Sequence, residues 1–269
     1  MSCVPSIALN SGFNIPAIGF GTFGFSRNDV GEAVQCAIEV GFRHIDCAMS
    51  YNNEEEVGAA ISKSLSSQCL AREDLFITSK VCNYVRSACE LSLKHLGLNY
   101  LDLYLIHFPA AFHEKPGKNY DVCDPCTVEY ECQSLEETWK AMECLVAEGL
   151  VKSIGVSNFN TKQLDRIISV ASIMPAVNQI EVSVDLLNTK LIEYCHSKGI
   201  QVEAFVCCGA CRKTMTPRLE EPFVKEIAAA HNKTAAQVLL RHALQRGLVV
   251  LSRGVTPAAI KSNFDVSQG

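Results

Sequence analysis

The sequence lacks the features of a membrane protein and of an exported protein. No continuous apolar run approaches the roughly 18 residues that a membrane-spanning helix requires. The first residues, MSCVPSIALNSGF, contain neither the basic segment nor the apolar core of a secretory signal peptide. Acidic residues outnumber basic ones: the chain has 24 lysines and arginines and 29 aspartates and glutamates, which gives a net charge of -5. These features predict a cytoplasmic protein whose partner is a small molecule, not nucleic acid or a membrane.

Cysteine, by contrast, is abundant, with 14 residues in the chain. Without a signal peptide, cysteines scattered through apolar segments such as EAVQCAIEV are typical of small buried residues in a reducing compartment. Two C-x-x-C pairs, Cys123 with Cys126 and Cys208 with Cys211, can in principle hold a zinc ion. About eighty residues separate the pairs, which fits no compact zinc ribbon, so we predict no metal site.

Short apolar runs alternate with amphipathic stretches along the whole chain. The amphipathic stretches repeat apolar residues at i, i+3, i+4 and i+7, and several end at glycine, as helices do. The eight apolar runs are AIGFGTF, FRHID, LFITSK, LDLYLIH, SIGVSN, AVNQIEV, IQVEAFV and LVVLS. Eight such alternations predict parallel strands, joined by right-handed crossovers and closed on themselves. The predicted fold is a (β/α)8 TIM barrel that comprises residues 1–269 as a single domain.

Two segments lie outside this alternation. The segment SIALNSGFNIPAI alternates around the turn signal Asn10-Ser11-Gly12 and predicts a β-hairpin that closes the bottom of the barrel. The polar stretch AAFHEKPGKNYDVCDPCTVEYECQS follows the fourth predicted strand. Connections of this length are usually functional lids or disordered segments, so we expect a lid or a disordered loop here.

The segment GFGTFG, residues 19–24, matches the G-x-G-x-x-G fingerprint of dinucleotide-binding folds. Asp46 follows at about the distance that the fingerprint expects for the ribose contact. Two features argue against a Rossmann unit: the next helix begins several residues after Gly24, and eight strand–helix pairs require a closed barrel. We interpret the glycines as positions where the first barrel strand passes close to a cofactor.

Polar residues cluster at the carboxyl ends of the predicted strands, where TIM barrels carry their active sites. Asp46, Lys80 and His107 end the second, third and fourth strands, and Tyr51 follows the second. A buried Lys80 ammonium is expected to lower the pKa of Tyr51 from about 10, while Asp46 compensates the lysine charge. Such a tyrosine can donate a proton to a developing alkoxide, with His107 as a neutral hydrogen-bond donor beside it.

These residues lie in longer motifs that resemble those of the aldo-keto reductase family, in the branch of aldose and aldehyde reductases. The resemblance covers nearly all of residues 5–263 in one order. The motifs that carry it are GFRHIDCAMSYNNEEEVG, FITSK, LDLYLIHFP, LVAEGLVKSIGVSNFN, AVNQIE, KTAAQVLLR and VTPAAIKSN. The resemblance places the family's catalytic tetrad on Asp46, Tyr51, Lys80 and His107. It implies a monomeric enzyme that reduces an aldehyde or ketone to an alcohol, with hydride from NADPH and Tyr51 as the general acid.

The resemblance also implies the position of the cofactor. Phe205 replaces the tyrosine that stacks on the nicotinamide and keeps an aromatic ring there. At the adenosine end, Arg253 can bind a 2′-phosphate, and Asn263 is retained beside it. The cofactor is therefore expected to be NADPH or NADP+, with NADH as an open alternative. The residues expected to hold the nicotinamide ribose and carboxamide are Thr22, Asp46, Ser157, Asn158 and Gln179.

The predicted substrate pocket departs from the family pattern. Phe23, Cys82 and Phe108 stand where relatives often have tryptophans, and Tyr51 and His107 complete the pocket. The family also continues beyond the position of our last residue with a helix and a loop, so we expect a shortened C-terminus and a weakly selective pocket.

A second hypothesis stays open beside the enzyme: a barrel that has lost efficient catalysis and has a structural, binding or regulatory role. Its motivation is the altered adenosine end together with the shortened C-terminus. Tight, saturable binding of NADPH that stabilises the fold would argue against this alternative.

Overall fold

A computed structural model describes residues 5–68, 70–82, 84–114, 128–131, 133–208 and 218–268 of the protein. Eight of its strands, β3 to β6 and β9 to β12, form a closed barrel of parallel neighbours in which β12 pairs with β3. The predicted (β/α)8 TIM barrel is therefore confirmed. The strands are β1 (Ser6–Ala8), β2 (Asn14–Pro16), β3 (Ile18–Gly21), β4 (His44–Asp46), β5 (Phe76–Val81), β6 (Leu101–Ile106), β7 (Ala111–Glu114), β8 (Val128–Glu131), β9 (Val151–Ser157), β10 (Val177–Glu181), β11 (Gln201–Phe205) and β12 (Val249–Ser252).

In the described part of the chain, eight helices connect the barrel strands and coincide with the predicted amphipathic stretches, and a ninth follows the last barrel strand. They are α1 (Arg27–Val40), α2 (Glu54–Gln68), α3 (Val85–Leu96), α4 (Leu135–Ala147), α5 (Thr161–Val170), α6 (Thr189–Ser197), α7 (Pro222–His231), α8 (Ala235–Gln245) and α9 (Pro257–Phe264). Asn160 and Thr234 cap α5 and α8 by accepting a hydrogen bond from a backbone N–H of the first turn. Both α7 and α8 lie between β11 and β12.

The N-terminal hairpin is also confirmed. Strands β1 and β2 pair antiparallel, with Ser6 opposite Pro16. Leu9 and Ile15 are buried in a small apolar cluster with residues at the lower end of the barrel strands, among them Phe76 and Val249. The hairpin thus closes the bottom of the barrel, opposite the carboxyl ends of the strands.

The long polar stretch after β6 contains two strands where the structure describes it. Its two ends form β7 and β8, which pair antiparallel from Ala111 opposite Glu131 to Glu114 opposite Val128. The sequences AFHE and VEYE contain aromatic and β-branched residues, which favour strands. The segment that was expected to be a lid or a disordered loop therefore begins and ends in a two-stranded antiparallel ribbon. Residues 115–127, between the two strands, lie outside the described ranges.

The main core lies between the barrel and its helices. Trp139 on α4 is fully buried, and its indole Nε1 donates to the Ile173 carbonyl over 3.1 Å. Val34 and Ile38 on α1 are equally buried and pack against the barrel. Burial of each such side chain contributes about 1.5–3 kcal/mol. None of the helices in the described part of the chain is long and apolar enough to cross a membrane.

Gly155 on β9 marks a close approach between strands. A Cβ atom there would lie 2.5 Å from the Val177 carbonyl oxygen on β10 and 2.8 Å from a methyl group of Leu105. Both distances are shorter than a side-chain carbon can reach without displacement of the neighbour. Only glycine therefore fits at this barrel position.

Replacement of Gly155 by alanine is expected to lower the free energy of unfolding by about 1–3 kcal/mol, because the strands must move apart. Urea denaturation measures the change. Gly31→Ala on α1 is the matched control, since its Cβ would approach nothing closer than 3.7 Å. In that helix alanine is favoured over glycine by up to about 1 kcal/mol. Equal stability of G155A and the parent protein would contradict the close approach.

Candidate active site

The four residues predicted to be catalytic come together at the carboxyl end of the barrel. Lys80 on β5 is fully buried, and its Nζ lies 2.7 Å from each carboxylate oxygen of Asp46 on β4. The same ammonium donates to the Cys47 carbonyl over 2.8 Å and to Tyr51 Oη over 3.1 Å. Because an ammonium group only donates, Tyr51 Oη accepts this hydrogen bond and its own proton is directed elsewhere.

The electrostatics of this group correct one expectation. Burial raises the pKa of the Tyr51 phenol above its usual value, and this effect exceeds the lowering by the Lys80 charge. The expected net lowering of the Tyr51 pKa is therefore wrong, although Lys80 acts in the expected direction. Burial by itself lowers the Lys80 pKa, but the contacts with Asp46 and Tyr51 have a larger effect and raise this pKa above its usual value. Lys80 is thus charged and Tyr51 protonated at neutral pH.

His107 follows β6 and is buried at the edge of this cluster. Its ring lies perpendicular to the Tyr51 ring, with 5.7 Å between the centroids. Burial and the Lys80 charge lower the pKa of His107 well below its usual value, so the imidazole is neutral. Ser50 Oγ lies 3.3 Å and Cys82 Sγ 3.8 Å from His107 Nδ1. A hydrogen donated to Nδ1 from either group leaves the imidazole proton on Nε2.

The glycine segment, residues 19–24, is hydrogen-bonded to the backbone of Asp46, a member of the tetrad. Thr22 is fully buried, and both its N–H and its hydroxyl donate to the Asp46 carbonyl, over 3.0 and 2.9 Å. Asn53 Nδ2 in turn donates to the Thr22 carbonyl over 3.1 Å. Thr22 therefore fixes the loop over β4, and its predicted contact with the ribose stays a prediction.

Gln179 on β10 connects the tetrad to the opposite side of the barrel. Its Nε2 donates to Asp46 Oδ1 and to Glu203 Oε2, each over 2.9 Å. Glu203 lies on β11 and is completely buried. With both amide hydrogens engaged, the Gln179 amide oxygen is left without a hydrogen bond among the described residues.

Asn158 follows β9 in a left-handed conformation, with φ of 64°, which asparagine tolerates. Its Nδ2 donates to the His107 carbonyl over 3.0 Å and to Ser157 Oγ over 3.1 Å. The Asn158 amide oxygen, like that of Gln179, has no hydrogen bond among the described residues. Two such acceptors suit the NH2 group of a nicotinamide carboxamide. The residues present therefore fit the nicotinamide half of the cofactor.

Phe205 ends β11 and is partly buried. The next residue, Val206, has φ of 59°, a strained conformation for a β-branched residue. The chain thus turns sharply just after the ring that is predicted to stack on the nicotinamide. Strain of this kind is typical of functional sites, and the stacking itself stays a prediction.

At the predicted adenosine end, Arg253 follows β12 and is exposed. Its Nη2 donates to the Gly24 carbonyl over 2.9 Å, and its guanidinium lies 4.7 Å from the centre of the Phe25 ring. Asn263 on α9 is buried and donates to the Arg253 carbonyl over 3.2 Å. An exposed guanidinium, oriented by a ring and a carbonyl, suits an anionic group.

The residues predicted to line the substrate pocket surround Tyr51 and His107. The Phe23 ring lies 5.1 Å from the Tyr51 ring and is 48% exposed. The Phe108 ring stacks on His107 at 4.6 Å, and Cys82 lies beside the same imidazole. Two aromatic rings and a thiol thus lie beside Tyr51 and His107, and one of these rings, Phe23, is exposed to solvent.

Where they are described, the cysteines are free thiols. Burial raises the pKa of Cys207 above its usual value and that of Cys208 to about 12, so both are packing residues with little thiolate. Among the described residues, no group of three or more His, Cys, Asp or Glu is arranged to hold a metal ion. Cys123, Cys126 and Cys211, from the two C-x-x-C pairs, lie outside the described ranges.

Comparison with known proteins agrees with this geometry. The model of the aldo/keto reductase family matches residues 17–268. The chain belongs to the aldo/keto reductase family. It is 42% identical to aldo-keto reductase family 1 member A1-A of Danio rerio, over 97% of this chain and 84% of that protein. The human member A1 is 39% identical, over 98% and 84% of the two chains.

A solved structure shows the same fold. The aldose reductase from Schistosoma japonicum superposes with a TM-score of 0.90 at 46% sequence identity. The match covers 98% of this chain and 87% of that protein. This aldo/keto reductase is therefore an oxidoreductase with a TIM barrel, as the sequence motifs predicted.

Sequence reasoning missed several residues of the aldo/keto reductase site. Ser50 next to His107 and Asn53 beneath Thr22 lie within a quoted motif, but nothing in their spacing indicated these contacts. Glu203 stands between apolar residues of a predicted strand, which is the one signal that could have identified it. His44, which no predicted site included, lies inside the barrel with Nε2 3.5 Å from Glu203 Oε1.

Substitution of Lys80 by methionine is expected to lower the free energy of unfolding by about 3–5 kcal/mol, because it leaves the Asp46 carboxylate buried without its partner. The double variant D46N/K80M removes both charges and is expected to regain part of this loss. Urea denaturation of the parent, both single variants and the double variant gives the coupling energy. Additive losses would contradict the buried ion pair.

Proposed function

We propose that this aldo/keto reductase reduces aldehydes and ketones to alcohols with NADPH, and that Tyr51 is the proton donor. The observation that carries the proposal is the buried Lys80 ammonium, which contacts Tyr51 Oη at 3.1 Å and both Asp46 carboxylate oxygens at 2.7 Å. This arrangement holds one phenol in place beside the Phe23 and His107 rings. It also provides a fixed positive charge for the phenolate that forms after proton transfer.

The geometry defines what Tyr51 does. Its oxygen accepts a hydrogen bond from Lys80, so its proton is free to bond to the carbonyl oxygen of a substrate. Because burial keeps the Tyr51 pKa above its usual value, the phenol is protonated over the physiological pH range. As negative charge develops on the substrate oxygen, Tyr51 donates this proton, and Lys80 stabilises the resulting phenolate.

His107 orients the substrate in this proposal. The neutral imidazole carries its proton on Nε2 when Ser50 or Cys82 donates to Nδ1. Nε2–H can then donate to the same carbonyl oxygen that Tyr51 protonates. The Phe108 ring, stacked on the imidazole, limits its rotation.

Residues of this chain would hold NADPH at three places. Gln179 and Asn158 would accept from the nicotinamide carboxamide, Phe205 would stack on the nicotinamide ring, and Arg253 would bind the 2′-phosphate, with Asn263 holding the Arg253 backbone. When bound, NADPH supplies the hydride. The exposed Phe23 supports a broad range of carbonyl substrates, and a monomeric state and a cytoplasmic location stay predictions from the sequence.

Substitution of Tyr51 by phenylalanine is expected to lower the rate of NADPH consumption with an aromatic aldehyde by about 10²–10⁴-fold, because the proton donor is removed. Absorbance of NADPH follows the reaction. NADPH binding should persist, since the ring is retained.

Tyr104→Phe is the matched control for this substitution. Its hydroxyl is also buried but makes no hydrogen bond among the described residues, so its loss should leave turnover unchanged. Turnover by Y51F equal to that of the parent would overturn the role of Tyr51. Absence of turnover by the parent, together with weak NADPH binding, would favour a structural, binding or regulatory role instead.

Substitution of Arg253 by alanine is expected to weaken NADPH binding by about tenfold or more, since a charge-assisted contact to the 2′-phosphate is lost. NADH lacks that phosphate, so its dissociation constant should hardly change. Calorimetric titration measures both. Arg166→Ala, which removes an exposed arginine paired with Glu136 on the helical surface, controls for net charge. Equal losses for NADPH and NADH would contradict phosphate recognition by Arg253.

A further inference from the structure

A buried carboxyl group with no part in the proposed reaction lies next to the site. Glu203 is completely buried on β11, and its Oε2 accepts a hydrogen bond from Gln179 Nε2 over 2.9 Å. Its other oxygen, Oε1, has no hydrogen-bond partner among the described residues, and His44 Nε2 lies 3.5 Å away. A carboxyl group buried this completely costs stability unless all of its polar atoms have partners.

Two carboxyl groups determine how the Gln179 amide is turned. Both Asp46 oxygens accept hydrogen bonds from Lys80, so only the NH2 end of the Gln179 amide can face Asp46. Glu203 accepts from the same amide nitrogen and engages its second hydrogen. Rotation of the amide would leave a buried donor without a partner, which is unfavourable. The amide oxygen is consequently held away from both carboxyl groups.

We propose that Glu203 is a positioning residue for the cofactor: it holds the Gln179 amide in the orientation that offers its oxygen to the nicotinamide carboxamide. The inference rests on the proposed function, because Glu203 acts on the cofactor only through Gln179. Strand β4 lies across the barrel from β10 and β11, so this arrangement depends on closure of the barrel.

The charge state of Glu203 adds a pH dependence. Burial raises the Glu203 pKa to about 8, and the Asp46 charge acts in the same direction while the Lys80 charge opposes it. Burial and the Lys80 charge lower the His44 pKa to about 3, so His44 is neutral and supplies no counter-charge. Val249, opposite Glu203 on β12, is apolar. Glu203 is therefore protonated at neutral pH and ionises in mildly alkaline solution.

Calorimetric titration with NADPH tests the positioning role. Glu203→Met fills the same space without an acceptor, so the NADPH dissociation constant at pH 7 should rise about tenfold. Glu203→Gln matches the protonated carboxyl group in shape and keeps an acceptor, so it should bind within about twofold of the parent. Glu193→Gln, on the exposed face of α6, is the matched charge control and should bind like the parent.

Thermal unfolding without cofactor tests the buried carboxyl group independently. Since the pKa of Glu203 is raised in the folded protein, its contribution to stability is fully present below the unfolded value of about 4.5 and is lost as the pH rises to about 8. The glutamine of E203Q does not ionise, so this variant does not lose stability in that way as the pH rises. The difference in Tm between E203Q and the parent should therefore grow from about pH 5 to pH 8 and then level off, whereas E193Q should follow the parent.

The outcomes separate the two proposals. Failure of the parent protein to bind NADPH overturns the proposed function. Tight binding by the parent and equally tight binding by E203M overturns only the role of Glu203. If E203M does not fold, Glu203→Leu, which also lacks an acceptor, replaces it in the calorimetric titration. NADPH binding by E203L equal to that of the parent then overturns the inference, as do parallel pH profiles of Tm for E203Q and the parent.

Discussion

The buried ammonium of Lys80 is the constraint on which the site depends. A charge without access to water is stable only when fixed acceptors surround it, and here Asp46, the Cys47 carbonyl and Tyr51 provide them. Each acceptor belongs to a different part of the chain from Lys80 itself, so the ammonium fixes β4, β5 and the short turn after β4 relative to one another. The phenol is held in place by an electrostatic requirement and not merely by packing.

The same requirement continues across the barrel. Asp46 neutralises Lys80 and also accepts from Gln179, which reaches Glu203 on the far side. Polar groups therefore occupy one layer of the barrel interior, above the apolar cluster that the hairpin closes. The layer rests on close-packed apolar residues below, which hold the strands so that these side chains meet at hydrogen-bond distance.

The periodicity of the sequence was sufficient to predict the barrel, because each apolar run predicts a buried strand and each amphipathic stretch predicts a helix with one buried face. Helix α9 was not predicted from it, although Thr256 caps that helix and Pro257 lies in its first turn. The tetrad could be located from strand ends and motifs. The electrostatics of the tetrad could not be predicted in this way. The Tyr51 pKa depends on a balance between burial and the Lys80 charge, and the extent of burial is known only from the three-dimensional structure. Glu203 and Gln179 meet across 24 positions and two strands, a contact that no local pattern encodes.

The pairing of β12 with β3 joins the last barrel strand to the first. During synthesis, the edge of β3 has no partner on that side until residues 249–252 have left the ribosome. Until then the sheet has an unpaired edge, and such edges favour association between chains. Strand pairing over so long a distance in sequence is slow, so the closure that builds the site also prolongs the exposure of this edge.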